Sequence, residues 1–251
     1  MGNPCEAYLA LSLRGFYNDA PSAQLLRIFD EGHRIEPFVV ERLRRAGVKL
    51  REIDPATGKQ YHFEMLGGHL AANLDGMVWK QRDPEKDAPT HTLEVKSMNR
   101  AMFERFAKKG VAVSHPEYFD QVTLGLGLSG LRACLFIAYC KDNSKFHAEF
   151  VRFDEARFNE LVAKAAGAMF AREAKRTESW DCTDCFKRTA CKVGMPPVDE
   201  ERHCRHCRHS SPNVAVEGKK WLCTLHGHTD ASTPCSDFSA YRVITINKEK
   251  K

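Results

Sequence analysis

Apolar residues recur at helical spacing between positions 24 and 46. Leu25, Leu26, Ile28, Phe29, Ile35, Val39, Val40 and Leu43 fit a 3.6-residue repeat. They predict a helix with a kink or a break at Pro37, which lacks an N–H, and with Gly47 as its stop. After Gly47 the period changes. Segments 48–53 and 60–65 read as strands on either side of Asp54-Pro55-Ala56-Thr57-Gly58, a turn-rich hairpin signal. Segments 69–79 and 90–95 read as two more strands, with the charged stretch 80–87 as a solvated loop between them. Helices are predicted over 98–109 and 116–128. The apolar run 132–140 predicts a buried strand, and the alternating segment 145–153 its neighbour. An Ala-rich helix follows over 154–176, N-capped by Asp154. This order of elements is that of a mixed α/β domain. Behind Trp180 the periodicity is lost, and Cys, His, Arg, Pro and Ser dominate.

Composition narrows the picture. A chain of 251 residues, 43% hydrophobic, can bury one real core and carry a small appendage. No apolar run approaches the roughly 18 residues of a membrane helix, so no membrane partner is expected. The segment Met1-Gly2-Asn3-Pro4-Cys5 lacks the basic start and apolar stretch of a signal peptide, so the expected location is the cytoplasm. The net charge of +5 is compatible with a polyanionic partner without requiring one. Ten cysteines are many, and seven of them lie from Cys182 onward. Without an export signal, metal binding is a better reading of them than disulfides.

Two short segments carry the candidate chemistry: Asn73-Leu74-Asp75-Gly76-Met77 and Leu93-Glu94-Val95-Lys96-Ser97. Glu94 and Lys96 are two apart on a predicted strand, so both point to one face. Asp75 lies on the preceding strand, and adjacent strands are only about 5 Å apart. Two carboxylates make a hard oxygen site suited to Mg²⁺ or Mn²⁺. Such an ion can hold a phosphate and acidify water, while a lysine orients the water or offsets developing charge. The bland alternative is a solvated strand face and a turn. A bare Glu-x-Lys is common, and its surroundings give it weight: Leu93 and Val95 are apolar, as a buried opposite face requires.

Taken in order, Gly32-His33-Arg34-Ile35-Glu36, Leu74-Asp75-Gly76, Glu94-Val95-Lys96 and Tyr118-Phe119-Asp120-Gln121 resemble the RecB-like PD-(D/E)XK nucleases. That group includes phage exonucleases and CRISPR adaptation exonucleases. The resemblance covers roughly residues 5–195. It implies an α/β, restriction-endonuclease-like core, with a mixed sheet flanked by helices. It also implies Asp75 and Glu94 as metal ligands, the Val95 carbonyl as a third, Glu36 completing the site, and Lys96 as the catalytic lysine. Gln121 matches the family's helix glutamine. The tyrosine often found four residues later is replaced by Gly125, with Tyr118 as a substitute for contact with DNA. His33 is out of register and reads as a partly exposed helix histidine.

Cys182-x2-Cys185-x5-Cys191 supplies three thiolates and needs a fourth ligand. The resemblance supplies it as Cys5, together with a [4Fe–4S] cluster pinning the ends of the core. Zinc on the same three cysteines, or Cys5 as a free thiol, are the alternatives. Cys134 and Cys140 read as core residues. A second set, Cys204-x2-Cys207 with Cys223 and Cys235, has spacing suited to structural Zn²⁺. Residues 198–251 would then form a small zinc-binding lobe beside a nuclease core of residues 1–197. Such a lobe buries too little apolar surface to fold without help. Around that set stand His203, His206, His209, His226 and His228, with His226 best placed to replace a cysteine. Arg202, Arg205, Arg208, Lys219, Lys220 and Trp221 make the lobe a candidate for gripping nucleic acid. A solvated surface is the equal alternative.

Two function classes follow. One is a metal-dependent deoxyribonuclease, an exonuclease before an endonuclease, in DNA processing or recombination in a bacterial or phage-infected cell. It would act on single- or double-stranded ends, with a recombination or replication protein as partner. The other is a non-catalytic or partner-dependent nucleic-acid-binding component of a recombination complex.

Overall fold

The computed structural model describes residues 5–80, 87–176, 182–183, 185–194, 203–227 and 235–245. Most of the loop 80–87, Trp180, the boundary at 197/198, Arg202 and His228 lie outside the described residues.

The chain opens with α1 (Glu6–Leu13) and the long α2 (Ala23–Arg45). Ser22 caps α2, its hydroxyl accepting from the Leu25 N–H at 3.2 Å. Pro37 neither breaks nor ends α2. The position is exposed, so water can satisfy the carbonyl that the missing N–H leaves free. Gly47, at φ +85°, follows the helix.

The predicted strand 48–53 is instead two short pieces, β1 (Leu50–Arg51) and β2 (Ile53–Asp54), followed by β3 (Lys59–Met65). Asp54 shapes the β2–β3 turn, its carboxylate accepting from the Ala56 N–H at 2.9 Å. The predicted strand 69–79 is also divided, into β4 (Leu70–Leu74) and β5 (Gly76–Val78). The break falls at Asp75. On one side β2, β3 and β4 form an antiparallel three-stranded sheet; on the other β5 enters the main sheet.

The main sheet continues with β6 (His91–Met98), β7 (Ala133–Cys140) and β8 (Phe146–Arg152). Its order is β1-β5-β6-β7-β8, and β6–β7 is its parallel pair. Between β6 and β7 lie α3 (Arg100–Lys109), a short α4 (Val111–Ser114) that periodicity did not announce, and α5 (Pro116–Ser129). Alternation along β6 and β7 sends their side chains to two cores. Leu93, Val95, Leu135 and Ile137 meet Ile35, Val39 and Val40 of α2. Cys134, Phe136, Ala138 and Cys140 meet Phe103, Phe106, Val122 and Leu126 of the helices on the other face. Cys134 and Cys140 are thus core residues, at 1% and 0% exposure. The architecture is a mixed α/β fold with a mixed sheet flanked by helices.

α6 (Glu155–Phe170) ends six residues earlier than its Ala-rich pattern suggests. Ala171 turns extended, at φ −60° and ψ 129°. Residues 174–176 then form β9 (Ala174–Arg176), parallel to a strand near the C-terminal end. α7 (Arg188–Val193), a 3-10 turn (Cys204–His206), the β10 (Ser210–Pro212)–β11 (Trp221–Cys223) hairpin and β12 (Val243–Thr245) follow.

The cysteine- and histidine-rich segment packs on the start of the chain. Arg14, 1% exposed, donates from Nη1 to the carbonyls of Arg205 and Cys207, at 2.9 and 3.0 Å, and from Nη2 to that of Ser210, at 2.9 Å. Its guanidinium also lies 3.8 Å from the Tyr241 ring centroid. His206, 1% exposed, sets its ring edge-on to Phe16 at 4.7 Å. Burial pushes its pKa down to about 4, so at neutral pH it packs as an uncharged ring.

Candidate active site

The division of the predicted strand at Asp75 builds the site. Chain leaving the small sheet must turn into the main one, and Gly76 permits the turn because it is buried against the neighbouring strand. A Cβ there would sit 2.8 Å from the Arg51 carbonyl oxygen, a backbone atom of the paired β1. Gly76→Ala is therefore expected to cost about 1–3 kcal/mol by overpacking and to shift Asp75. Urea denaturation measures this, and an unchanged midpoint would contradict it.

Asp75 and the Glu94/Lys96 strand are directly connected. The Val95 N–H donates to Asp75 Oδ2 at 2.8 Å, fixing the carboxylate against β6. Glu94 is 3% exposed. Its Oε1 takes the Lys96 ammonium at 2.5 Å and the Gln121 side-chain N–H at 2.9 Å. Lys96 Nζ also lies 5.2 Å from the centre of the Tyr118 ring. Glu36, half-buried on α2, shares the electrostatic field of Asp75 and Lys96. The structure thus brings Glu36, Asp75, Glu94, Lys96, Tyr118 and Gln121 into one neighbourhood.

The electrostatics of this group fit a divalent cation. Burial pushes the Glu94 pKa up to about 7; Lys96 opposes the shift, and Asp75 and Glu36 add to it. The Asp75 carboxyl is raised by burial despite the Val95 hydrogen bond and Lys96. Glu36 is raised by burial, then by Asp75 and Glu52. Burial works to lower the Lys96 pKa, but Glu94 and Asp75 raise it on balance. Several carboxylates around one ammonium leave negative charge that a hard cation would neutralise.

A pH dependence follows for the metal-free protein. Glu94 keeps its proton to about pH 7, above its ordinary 4.5. The native state then holds more protons than the unfolded one between these values, so this group's contribution to stability falls as pH rises through that window. Cation affinity has the opposite trend, because the ligand must lose its proton. Mn²⁺ affinity measured by calorimetry is expected to rise steeply from pH 6 to 8, with proton release. A flat profile would contradict the assignment.

No family model matches the chain, and no curated protein matches it. Solved structures give distant likenesses. LHK-Exo in complex with dAMP is 18% identical with a TM-score of 0.41, over 64% of this chain and 84% of that one. A second structure of that alkaline exonuclease, from Laribacter hongkongensis, is 17% identical with the same TM-score and coverage. SSO0001 is 16% identical with a TM-score of 0.39, over 70% of this chain and 73% of that one. At these values the chemistry must be read from the side chains.

Several contributors were not legible in the sequence. The Glu52 carboxylate, held by Arg44 at 2.7 Å, acts on both Asp75 and Glu36. His115, 1% exposed, stacks on Tyr118 with ring centroids 5.4 Å apart and so steadies the ring beside Lys96. Asp120, 4% exposed, takes both arms of the Arg157 guanidinium at 2.7 and 2.8 Å. That fork ties α5, which carries Tyr118 and Gln121, to α6. Gly125 lies against β4; a Cβ there would meet the Leu74 side chain at 2.7 Å, so this position serves close packing. His33 is exposed.

The two cysteine sets are each gathered. Cys5, Cys182, Cys185 and Cys191 line one cavity of about 230 Å³, among Arg176, Lys187, Arg188 and Lys192. Burial raises the Cys185 and Cys191 thiols, and Cys5 adds to both. Cys204 is raised by burial and then by Cys235, Cys207 and Cys223. Tetrahedral zinc, with Zn–S bonds near 2.3 Å, needs sulfurs about 3.8 Å apart. Among the described residues no three thiols of either set reach 4.8 Å spacing; His226, Cys235 and Asp237 are a trio that does. A ring of thiols around a cavity suits a larger inorganic group in the first set. In the second set no three thiols approach zinc spacing among the described residues, and the His226 imidazole and Asp237 carboxylate are the ligand atoms grouped with Cys235. Trp221 sits edge-on to His69 at 5.6 Å and 5.4 Å from the Arg14 guanidinium. Its ring is thus engaged at the junction with the β3–β4 hairpin.

Proposed function

We propose that this protein is a divalent-metal-dependent deoxyribonuclease of the PD-(D/E)XK type, acting as an exonuclease. The observation that carries the reading is the convergence of Asp75, Glu94 and Lys96, with Asp75 fixed to the Val95 N–H between the other two. Asp75 and Glu94, with Glu36 and the Val95 carbonyl, would hold Mg²⁺ or Mn²⁺. When bound, such an ion supplies positive charge for a scissile phosphate and acidifies water. The remaining work belongs to the chain. Gln121 and Lys96 both engage Glu94 Oε1 and thereby orient the carboxylate, leaving Oε2 for the cation. Lys96 holds its proton, so its ammonium can donate to a phosphate oxygen or to the attacking water as negative charge develops. Tyr118 and His115 shield that ammonium on one side. The intact carboxylate–lysine group favours catalysis over simple nucleic-acid binding.

The reading extends to the cysteines. Cys5, Cys182, Cys185 and Cys191 would hold a [4Fe–4S] cluster as a brace between the ends of the core, supported by their shared cavity and its ring of cations. Cys204, Cys207, Cys223 and Cys235 would hold structural Zn²⁺, with His226 and Asp237 beside Cys235. Protein purified without oxygen is expected to be brown with near-ultraviolet and visible absorbance, and Cys185→Ser to lose both. A colourless parent would remove the cluster from the account.

The function is tested by incubating end-labelled linear DNA and covalently closed circular DNA with Mg²⁺, Mn²⁺ or EDTA. An exonuclease degrades the linear DNA in a metal-dependent manner and spares the circle. Cutting of the circle would make it an endonuclease, and no cutting of either would remove the nuclease reading.

A further inference from the structure

The carboxylate–lysine group around Asp75 lies on the Glu36 side of α2. The other side of this helix borders an aromatic strip that the chemistry above does not use. Phe38, two residues beyond Glu36, points about 200° around the helix from it. Its ring packs edge-on to Tyr139 of β7 at 5.6 Å and stacks on Phe146 of β8 at 6.4 Å. Four residues along β8, roughly 13 Å away, Phe150 continues the strip on the same sheet face, beside His91 at 5.1 Å. Exposure is high for rings of this size: 39% for Phe38, 45% for Phe146 and 56% for Phe150. β8 is also the edge of the main sheet.

Cations are interleaved with these rings. The Arg42 guanidinium lies over Phe38 at 4.9 Å, and Lys80 Nζ over Phe150 at 5.7 Å. Arg152 shares the strand face of Phe146 and Phe150 by alternation. The neighbouring described carboxylates are engaged elsewhere. Glu149 points to the opposite face of β8 and accepts from the Val111 N–H at 2.8 Å. Asp142 accepts from the Arg100 N–H at 2.7 Å, and Glu41 pairs with Arg45 at 2.8 Å. A second copy of the chain would set these cations against their own images. Part-exposed aromatic rings interleaved with positive charges instead match a polymer of stacked bases and phosphates.

We propose that the strip of Phe38, Tyr139, Phe146 and Phe150, with Arg42, Lys80 and Arg152, is a second docking surface for single-stranded DNA, separate from the carboxylate–lysine group. The proposal rests on the nuclease reading for the identity of its ligand. Two or three nucleotides span the distance from Phe146 to Phe150, and the surface holds a strand while its end is worked on across α2.

The test uses the full chain in EDTA, so that binding is read without cutting. A fluorescent thymidine oligonucleotide is titrated against the parent and the Phe146→Ser/Phe150→Ser double variant by anisotropy. The variant is expected to bind about tenfold more weakly. In parallel, a 5-bromodeoxyuridine oligonucleotide is photo-crosslinked to the parent and mapped by mass spectrometry; adducts are expected on β8 or Tyr139. The crosslink needs no variant, so it decides the matter should the double variant misfold. Adducts confined to other segments would overturn the proposal, as would unchanged affinity in a folded variant. Unchanged affinity with an altered oligomeric state would assign the strip to a second copy. Failure of cleavage with these adducts present would count against the carboxylate–lysine group and not against the strip.

Discussion

Lys96→Ala is expected to lower metal-dependent DNA cleavage by about 10²–10⁴-fold while changing DNA affinity little. Lys96 Nζ is the positive charge 2.5 Å from Glu94 Oε1, inside a group of carboxylates that burial already makes reluctant to ionise. Without it, Glu94 has Gln121 alone as a side-chain donor among the described residues, and the developing charge on phosphate loses its ammonium. Lys96→Arg should not restore the rate, because a planar fork cannot replace a point charge in this space. Single-turnover cleavage set beside binding in EDTA separates the two effects. Equal cleavage rates for Lys96→Ala and the parent would refute the assignment of Lys96.

The second large effect is structural. Arg14→Ala is expected to destabilise the protein by on the order of 4 kcal/mol, because two buried carbonyls and one part-buried carbonyl lose their donor together. Arg14 joins α1 to the carbonyls of Arg205, Cys207 and Ser210. α1 also follows Cys5, so the same short helix connects both cysteine sets. Weakening one end should loosen the other, and any metal held by the proposed cysteine sites should then be lost faster on chelator challenge. Urea denaturation followed by tryptophan fluorescence measures the stability change. A loss below about 0.5 kcal/mol, the size of an ordinary surface substitution, would contradict the docking described for Arg14.

Much of this was legible in residue patterns, for identifiable reasons. α2, α3, α5 and α6 carry helical periodicity or clear caps, and β6, β7 and β8 carry runs or alternation of the right length. Glu94 and Lys96 share a face because the strand period is two, and Leu93 and Val95 fill the opposite core as that period requires. The failures have a common origin in long-range packing. The segments 48–53 and 69–79 read as continuous strands because their composition is continuous. Their division between two sheets comes from tertiary pairing. Residues 174–176 continue an Ala-rich pattern, yet pairing with β12 overrides helix propensity there. Glu52, His115 and the Asp120–Arg157 fork act through neighbours distant in sequence, so no local pattern announces them. Arg14 gave no signal either: a single arginine after a short helix reads as a surface residue until its three carbonyl partners come from residues 205–210.

The measurement that bears most directly on the account is cleavage of end-labelled linear DNA by the parent and by Glu94→Ala, each with Mn²⁺ and with EDTA. Cutting is expected from the parent in Mn²⁺ alone, and none from the variant in either condition. Cutting by Glu94→Ala at the parent rate, or no cutting by a folded and metal-loaded parent, would contradict it.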